Sequence, residues 1–230
     1  MKQLLVGGLA AAAAGFFVVG VVTASVSNGS FETGPTVTNP PGFLPISAPS
    51  SSITGWTVSA GQIDYIGGYW AASSGSRSID LTGSNNSAGA ISQTLTTIPG
   101  STYTVTFDMA GNPAGPPAVK TMTVSATGAA SAVYTFDTTA KTLTNMGWTS
   151  KTYSFLASAN STVLTFTSNN LGFYGPAIDS VVISDNIVTD KDQCKNGGWQ
   201  TLVDSEGQPF KNQGDCVSFA ATGGKNLAAG

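Results

Sequence analysis

The chain has 230 residues, 12 acidic against 9 basic, no histidine, and 9% charged side chains beside 41% hydrophobic ones. The charges are dispersed, so nothing matches the basic stripe that a phosphate backbone demands, and nucleic acid is not an expected partner. So few charges also exclude long amphipathic helices, which need Glu, Lys and Arg on their wet faces.

Residues 1–24 read as a signal peptide. Lys2 supplies the positive start, an apolar run extends from Leu4 to Val22, and Val22-Thr23-Ala24 offers the small residues at which signal peptidase cuts. The run also approaches membrane-spanning length. It is either cleaved, which its Ala and Gly content and terminal cleavage signal favour, or kept as an anchor. Membrane contact is expected only in the second case. Both place the protein outside the cell or on its surface.

Residues 25–186 carry strand signals. Asn28-Gly29-Ser30-Phe31-Glu32 is expected to open the first strand. From Thr33 to Ser52, Pro35, Pro40, Pro41, Pro45 and Pro49 remove ladder donors and predict a long surface loop. Beyond it, Tyr103, Val105, Phe107 and Met109 alternate with Thr102, Thr104, Thr106 and Asp108. Met122 and Val124, Tyr153 and Phe155, and Leu164 and Phe166 repeat the pattern, which puts one set inside and the other towards solvent. Pro99-Gly100, Gly111-Asn112-Pro113, Asn169-Asn170 and Gly175-Pro176 mark turns between runs. Nine or ten short strands, no helix, and a last strand at Ala177–Ile183 predict an all-β, antiparallel jelly-roll β-sandwich. Residues 187–230 are polar and Gly-rich and hold both cysteines; Cys194 and Cys216 are expected to pair and close a small appendage with a frayed end.

Without histidine there is no Ser-His-Asp triad and no zinc site built on imidazole. The sandwich holds one Glu and six Asp, with no pair whose environments are visibly different, so binding rather than catalysis is expected. Asp179 shares parity with Val181 and Ile183 and is expected to point inward. There it either meets Glu32 from the opening strand around a Ca²⁺, or sits outside the core and caps a turn. Arg77 shares parity with Ile79 and Leu81, and serves either as a planar donor fork for a ligand or as an internal partner of an Asp. Trp56 reads as core. Tyr69 and Trp70, between glycines and a Ser/Gly run, are the expected contacts for a sugar ring, with Trp148 and Tyr174 as companions.

The ordered blocks N-G-S-F-E, I-T-G-W-T-V, I-D-Y-I-G-G-Y-W, G-S-R-S-I-D-L-T-G, I-S-Q-T-L, Y-T-V-T-F-D-M-A-G-N-P, N-M-G-W-T-S-K-T-Y-S-F and G-P-A-I-D-S-V span Val26 to Ile183. This series resembles the bacterial choice-of-anchor C family, itself similar to plant cell-wall proteins of domain-of-unknown-function 642. The resemblance implies a galactose-binding-like jelly roll, a role at the cell surface or wall, and a structural Ca²⁺ held by Glu32 and Asp179. It carries over no catalytic residue. The tail departs from the family's usual sorting or membrane anchor: Cys194 to Gln200 and Phe210 to Phe219 resemble a short block found on assorted exported bacterial proteins. Two functions follow: a non-catalytic module that recognises cell-wall or extracellular polysaccharide, or an adhesive surface protein whose partner is another protein.

Overall fold

The computed structural model describes residues 24–229, so all of the signal peptide but Ala24 lies outside the described residues. One sheet comprises β1 (Phe43–Ser47), β3 (Gln62–Ile66), β4 (Ser78–Asp80), β6 (Thr102–Gly111), β9 (Thr149–Leu156) and β11 (Pro176–Asp185). The other comprises β2 (Thr57–Ala60), β5 (Ala90–Thr96), β7 (Val119–Ala126), β8 (Ala132–Asp137) and β10 (Ser161–Ser168). The spatial orders are β1-β3-β4-β11-β6-β9 and β2-β5-β10-β7-β8. From β4 onwards these reduce to β4-β11-β6-β9 over β5-β10-β7-β8. Each strand crosses to the opposite sheet except at the β7–β8 hairpin, and every pairing is antiparallel, which is the jelly-roll order.

The period-two pattern does what it predicts. Tyr103, Val105, Phe107 and Met109 are wholly buried, as are Met122, Val124, Leu164 and Phe166, and they fill one continuous core with Trp56. Two expectations fail at the amino-terminal end. Residues 28–32 form a turn, not a strand, with Phe31 at φ +60° and its N–H donated to Asn28 O. The cause is the Asn28 side chain, which donates to Thr33 O and Thr54 O and accepts from Thr33 N; these local bonds displace a ladder. The proline-rich stretch is not all loop either. It contains β1, where Pro45 is tolerated because β1 is the sheet's edge strand and can leave a donor unused.

Asp179 does not point into the sandwich. It lies opposite Asp108, which alternates with the core residues Phe107 and Met109, so both acids take the outer face. A register shift between Asp179 and Val182, with Ser180 at φ +53°, breaks the parity that links Asp179 to Ile183 in the sequence.

The tail is more ordered than expected. Asp190 and Gln193 form a capping box at the start of a kinked 3-10 segment, Lys191–Gln200, and Asn212 caps α1 (Gln213–Ala221). Val188, Cys194, Phe210, Cys216 and Phe219 make a second small core across the Cys194–Cys216 disulfide. The end is tied down by Ala228 N donating to Asp204 and Ala229 N to Asp215. Gly207 lies against Pro99 O, a contact that a Cβ would block, so the tail is seated on the β5–β6 turn. Closing a loop with a sequence separation of 22 contributes ~3 kcal/mol in the chain-entropy model. Reduction is therefore expected to raise amide exchange after Ile187 while leaving the sandwich transition in place. Equal loosening of β5 and β6 would show instead that the tail holds the sandwich together.

Candidate functional site

Three Ile-Asp steps stand on three neighbouring strands: Ile63-Asp64 on β3, Ile79-Asp80 on β4 and Ile178-Asp179 on β11. Each Ile enters the core with no exposed surface, so each Asp takes the outer face of the sheet. Asp64 and Asp80 are direct cross-strand partners. Loops fold over them, leaving Asp64 6% and Asp80 0% exposed.

Under these loops lies a cavity of about 200 Å³ lined by Phe43, Asp64, Ile66, Tyr69, Asp80, Ser84, Asn112, Phe173 and Tyr174. Four aromatic residues thus surround two acids, an amide and a hydroxyl. Asp80 forms the back wall: its Oδ1 accepts from Thr82 N at 3.0 Å and Gly175 N at 3.1 Å, and its Oδ2 from Asn112 Nδ2 at 2.9 Å. Position 175 must be glycine for this approach, because a Cβ there would meet Asp80 Oδ1 and Thr82 Oγ1. Buried Lys120 fastens the loops behind the wall, its Nζ donating to Gly115 O and Tyr174 O at 2.8 Å each. Burial pushes the Asp80 carboxyl up to about 8, against the pull of the Asn112 and Thr82 donors and with the charge of Asp64 adding to the rise. Burial likewise takes Asp64 to about 6, opposed by Ser84. The sequence shows no differentiated acid pair; the fold makes one. It cannot work as a glycosidase pair, since both acids share one wall and Asp80 is inaccessible, whereas that chemistry flanks the scissile bond with two carboxyls.

Of the expected ligand contacts, Tyr69 and Tyr174 line the cavity. Trp70 does not: its ring is 5% exposed and Nε1 donates to Ser78 Oγ at 2.8 Å, so no sugar can reach its face. Trp148 is half-buried and pins the loop after Trp70 by donating Nε1 to Ala71 O at 2.9 Å. Arg77 lies 5.8 Å over the Tyr65 ring, so it neither faces the cavity nor pairs with an Asp. The residues that sequence reasoning missed are Phe43, Asp64, Asp80, Ser84, Asn112 and Phe173. The repeated Ile-Asp step, an acid set in an apolar run, is the signal that marks two of them.

Glu32 and Asp179 do converge, on one loop. Asp179 Oδ2 accepts from Ser73 N and Ser74 N at 2.8 and 2.9 Å. Glu32 Oε1 accepts from Ser76 N and Arg77 N at 2.9 and 2.8 Å, and Oε2 from Ser76 Oγ at 3.0 Å. Burial raises Glu32, but these bonds outweigh it and hold the carboxyl below its ordinary value. Burial takes Asp179 to about 6, against the amides of Ser74, Ser180 and Ser73 and with Asp108 adding to the rise. Calcium takes oxygen ligands. As placed, these carboxylates face N–H and O–H donors, so the pair fits a loop clamp and does not fit a calcium cage. Melts in calcium and in chelator are accordingly expected to coincide. Asp179→Ala should cost about 1–3 kcal/mol in both, the penalty of stranding the amides of Ser73, Ser74 and Ser180. A calcium-dependent rise in the wild-type transition would restore the ion.

A family model described as a protein of unknown function, DUF642, matches residues 24–184. Halomucin of Haloquadratum walsbyi is 31% identical over 216 residues, a match that covers 89% of this chain and 2% of halomucin. Among solved structures, the family 35 carbohydrate-binding module of Clostridium thermocellum is 17% identical over 62% of this chain and 97% of its own, with a TM-score of 0.41. The CBM22-1 xylan-binding domain from Paenibacillus barcinonensis Xyn10C is 18% identical over 62% and 92%, with a TM-score of 0.40. Likenesses of that size carry no argument, and the jelly roll rests on the strand order above. Choice-of-anchor C, the bacterial resemblance, is not what the family model matches. With the match running through most of the sandwich, from the turn before β1 to the end of β11, the chain belongs to the DUF642 family.

Proposed function

We propose that this chain is an exported, non-catalytic module that binds carbohydrate in the cavity between β1, β3, β4 and the 171–175 loop. One observation carries the reading: Phe43, Tyr69, Phe173 and Tyr174 bound a small cavity whose wall offers Asp64, Ser84 and Asn112. Aromatic rings cover the apolar faces of a pyranose while acids and amides take its hydroxyls, the mix of apolar lining and few convergent polar groups expected of a ligand pocket. A cavity of about 200 Å³ falls below the size of drug-sized pockets, which suits one sugar ring, as at a chain end. The disulfide supports an oxidising, extracellular setting.

The test is binding of the full chain to soluble and insoluble polysaccharides, with Phe173→Ala as the variant, because that ring is 49% exposed and adds little to the core. Removing about 100 Å² of stacked surface, worth on the order of 2–3 kcal/mol, should weaken binding roughly ten- to hundredfold with the melting temperature unchanged. A wild type that binds no glycan, or a variant that binds equally well, would overturn the proposal.

A further inference from the structure

The cavity's charge selects within the sugars. Its lining contains two Asp side chains and no Lys or Arg. Asp80 is already served by three N–H donors, and the buried Lys120 behind it gives its own donors to two carbonyls. Asp64 is different. It is 6% exposed, faces the cavity, and is served by one residue, Ser84, whose Oγ lies 3.3 Å from both oxygens and whose backbone amide adds to the hold. A carboxylate has about four acceptor positions, so most of this one's capacity is open towards the cavity. A buried carboxylate left in that state is costly, and a cation that meets it removes the cost. The aromatic walls add to the preference, since ring faces attract a positive charge held against them.

We infer that the ligand is an amino sugar in its ammonium form, with the amine on Asp64 and the ring against Tyr69, Phe173 and Tyr174. This rests on the carbohydrate reading above and narrows it. A neutral sugar can give hydroxyls to Asp64 but leaves its charge unmatched. A uronate or sulfated sugar brings a second negative charge into a wall that already carries two acids and offers no lining cation.

The experiment is calorimetric titration of the full chain at pH 7 with matched monosaccharides: glucosamine, glucose and glucuronate, and galactosamine, galactose and galacturonate. The amino sugar of one series should bind at least tenfold tighter than its neutral parent, and the uronate most weakly. Asp64→Asn should close the gap, lowering amino-sugar affinity by more than it lowers neutral-sugar affinity; the wild-type ranking stands even if that variant folds poorly. Equal affinity for amino and neutral sugars, or a preference for the uronate, would overturn the amine while leaving the carbohydrate reading intact. If no sugar of any class binds but the protein is folded, the carbohydrate reading falls too.

Discussion

Trp56→Ala is expected to destabilise the sandwich by about 3–5 kcal/mol, the range for removing a large buried aromatic side chain. The ring is 2% exposed and lies between Phe31, at 5.2 Å between centroids, and Phe166, at 6.1 Å. Its Nε1 also donates to Asn28 O at 3.0 Å, so the indole fastens the 28–33 turn to the core that both sheets share. Alanine leaves a cavity among stiff neighbours and removes one of the two donors to Asn28 O, the other being Phe31 N. For a domain of this size the melting temperature should fall by about 6–20 °C. Trp56→Phe keeps most of the volume and loses the hydrogen bond, so it should cost markedly less. A Trp56→Ala loss below about 1 kcal/mol would mean that the ring does not occupy the core. Urea and thermal unfolding of the three proteins decide it.

Stability is also expected to fall as the pH rises from about 5 to about 9. Asp80 has a folded-state value of about 8 against 3.8 for the ordinary side chain. The folded protein therefore binds more protons than the unfolded chain between those values. For a group raised in this way, the stabilisation is fully present below its unfolded value and is lost as the pH passes through its folded one. The loss is on the order of 5 kcal/mol if Asp80 titrates alone, and it belongs to the Asp64–Asp80 pair, because the two are coupled. Asp64 and Asp179, each at about 6, add in the same direction and finish titrating earlier. Glu32 acts oppositely: held below its ordinary value, it contributes stability above that value and loses it in acid. Maximum stability should therefore lie at mildly acidic pH. Urea midpoints at pH 5, 7 and 9 should descend for wild type, and Asp80→Asn should flatten the slope even where it lowers the whole curve by straining its bond to Asn112. A level wild-type profile would show that Asp80 is not held in water-free surroundings.

Backbone alternation is a local property, so the strands, the all-β class and the buried rings at Tyr103, Phe107, Phe166 and Trp56 could be read from neighbours two residues apart. The cysteine pair was equally legible, being an even count confined to one short segment. Parity reasoning failed for Asp179 because one bulge resets the period, and no neighbouring residue announces it. Glycine context failed for Trp70, since glycines free the backbone but do not say which way the indole turns; Ser78 Oγ does that from β4. The cavity was beyond local reading altogether. Asp64 meets Asp80 only because β3 and β4 pair in one register. Phe43 and Phe173 join them because the β1 edge and the loop before β11 close over the same outer face. Alternation along the chain is enough to say which residues point in and out of the sandwich. Which outward-facing residues are covered again depends on long-range register and loop closure, and burial by those loops is what raises two ordinary aspartates far above the usual carboxylate range and makes them the wall of a pocket.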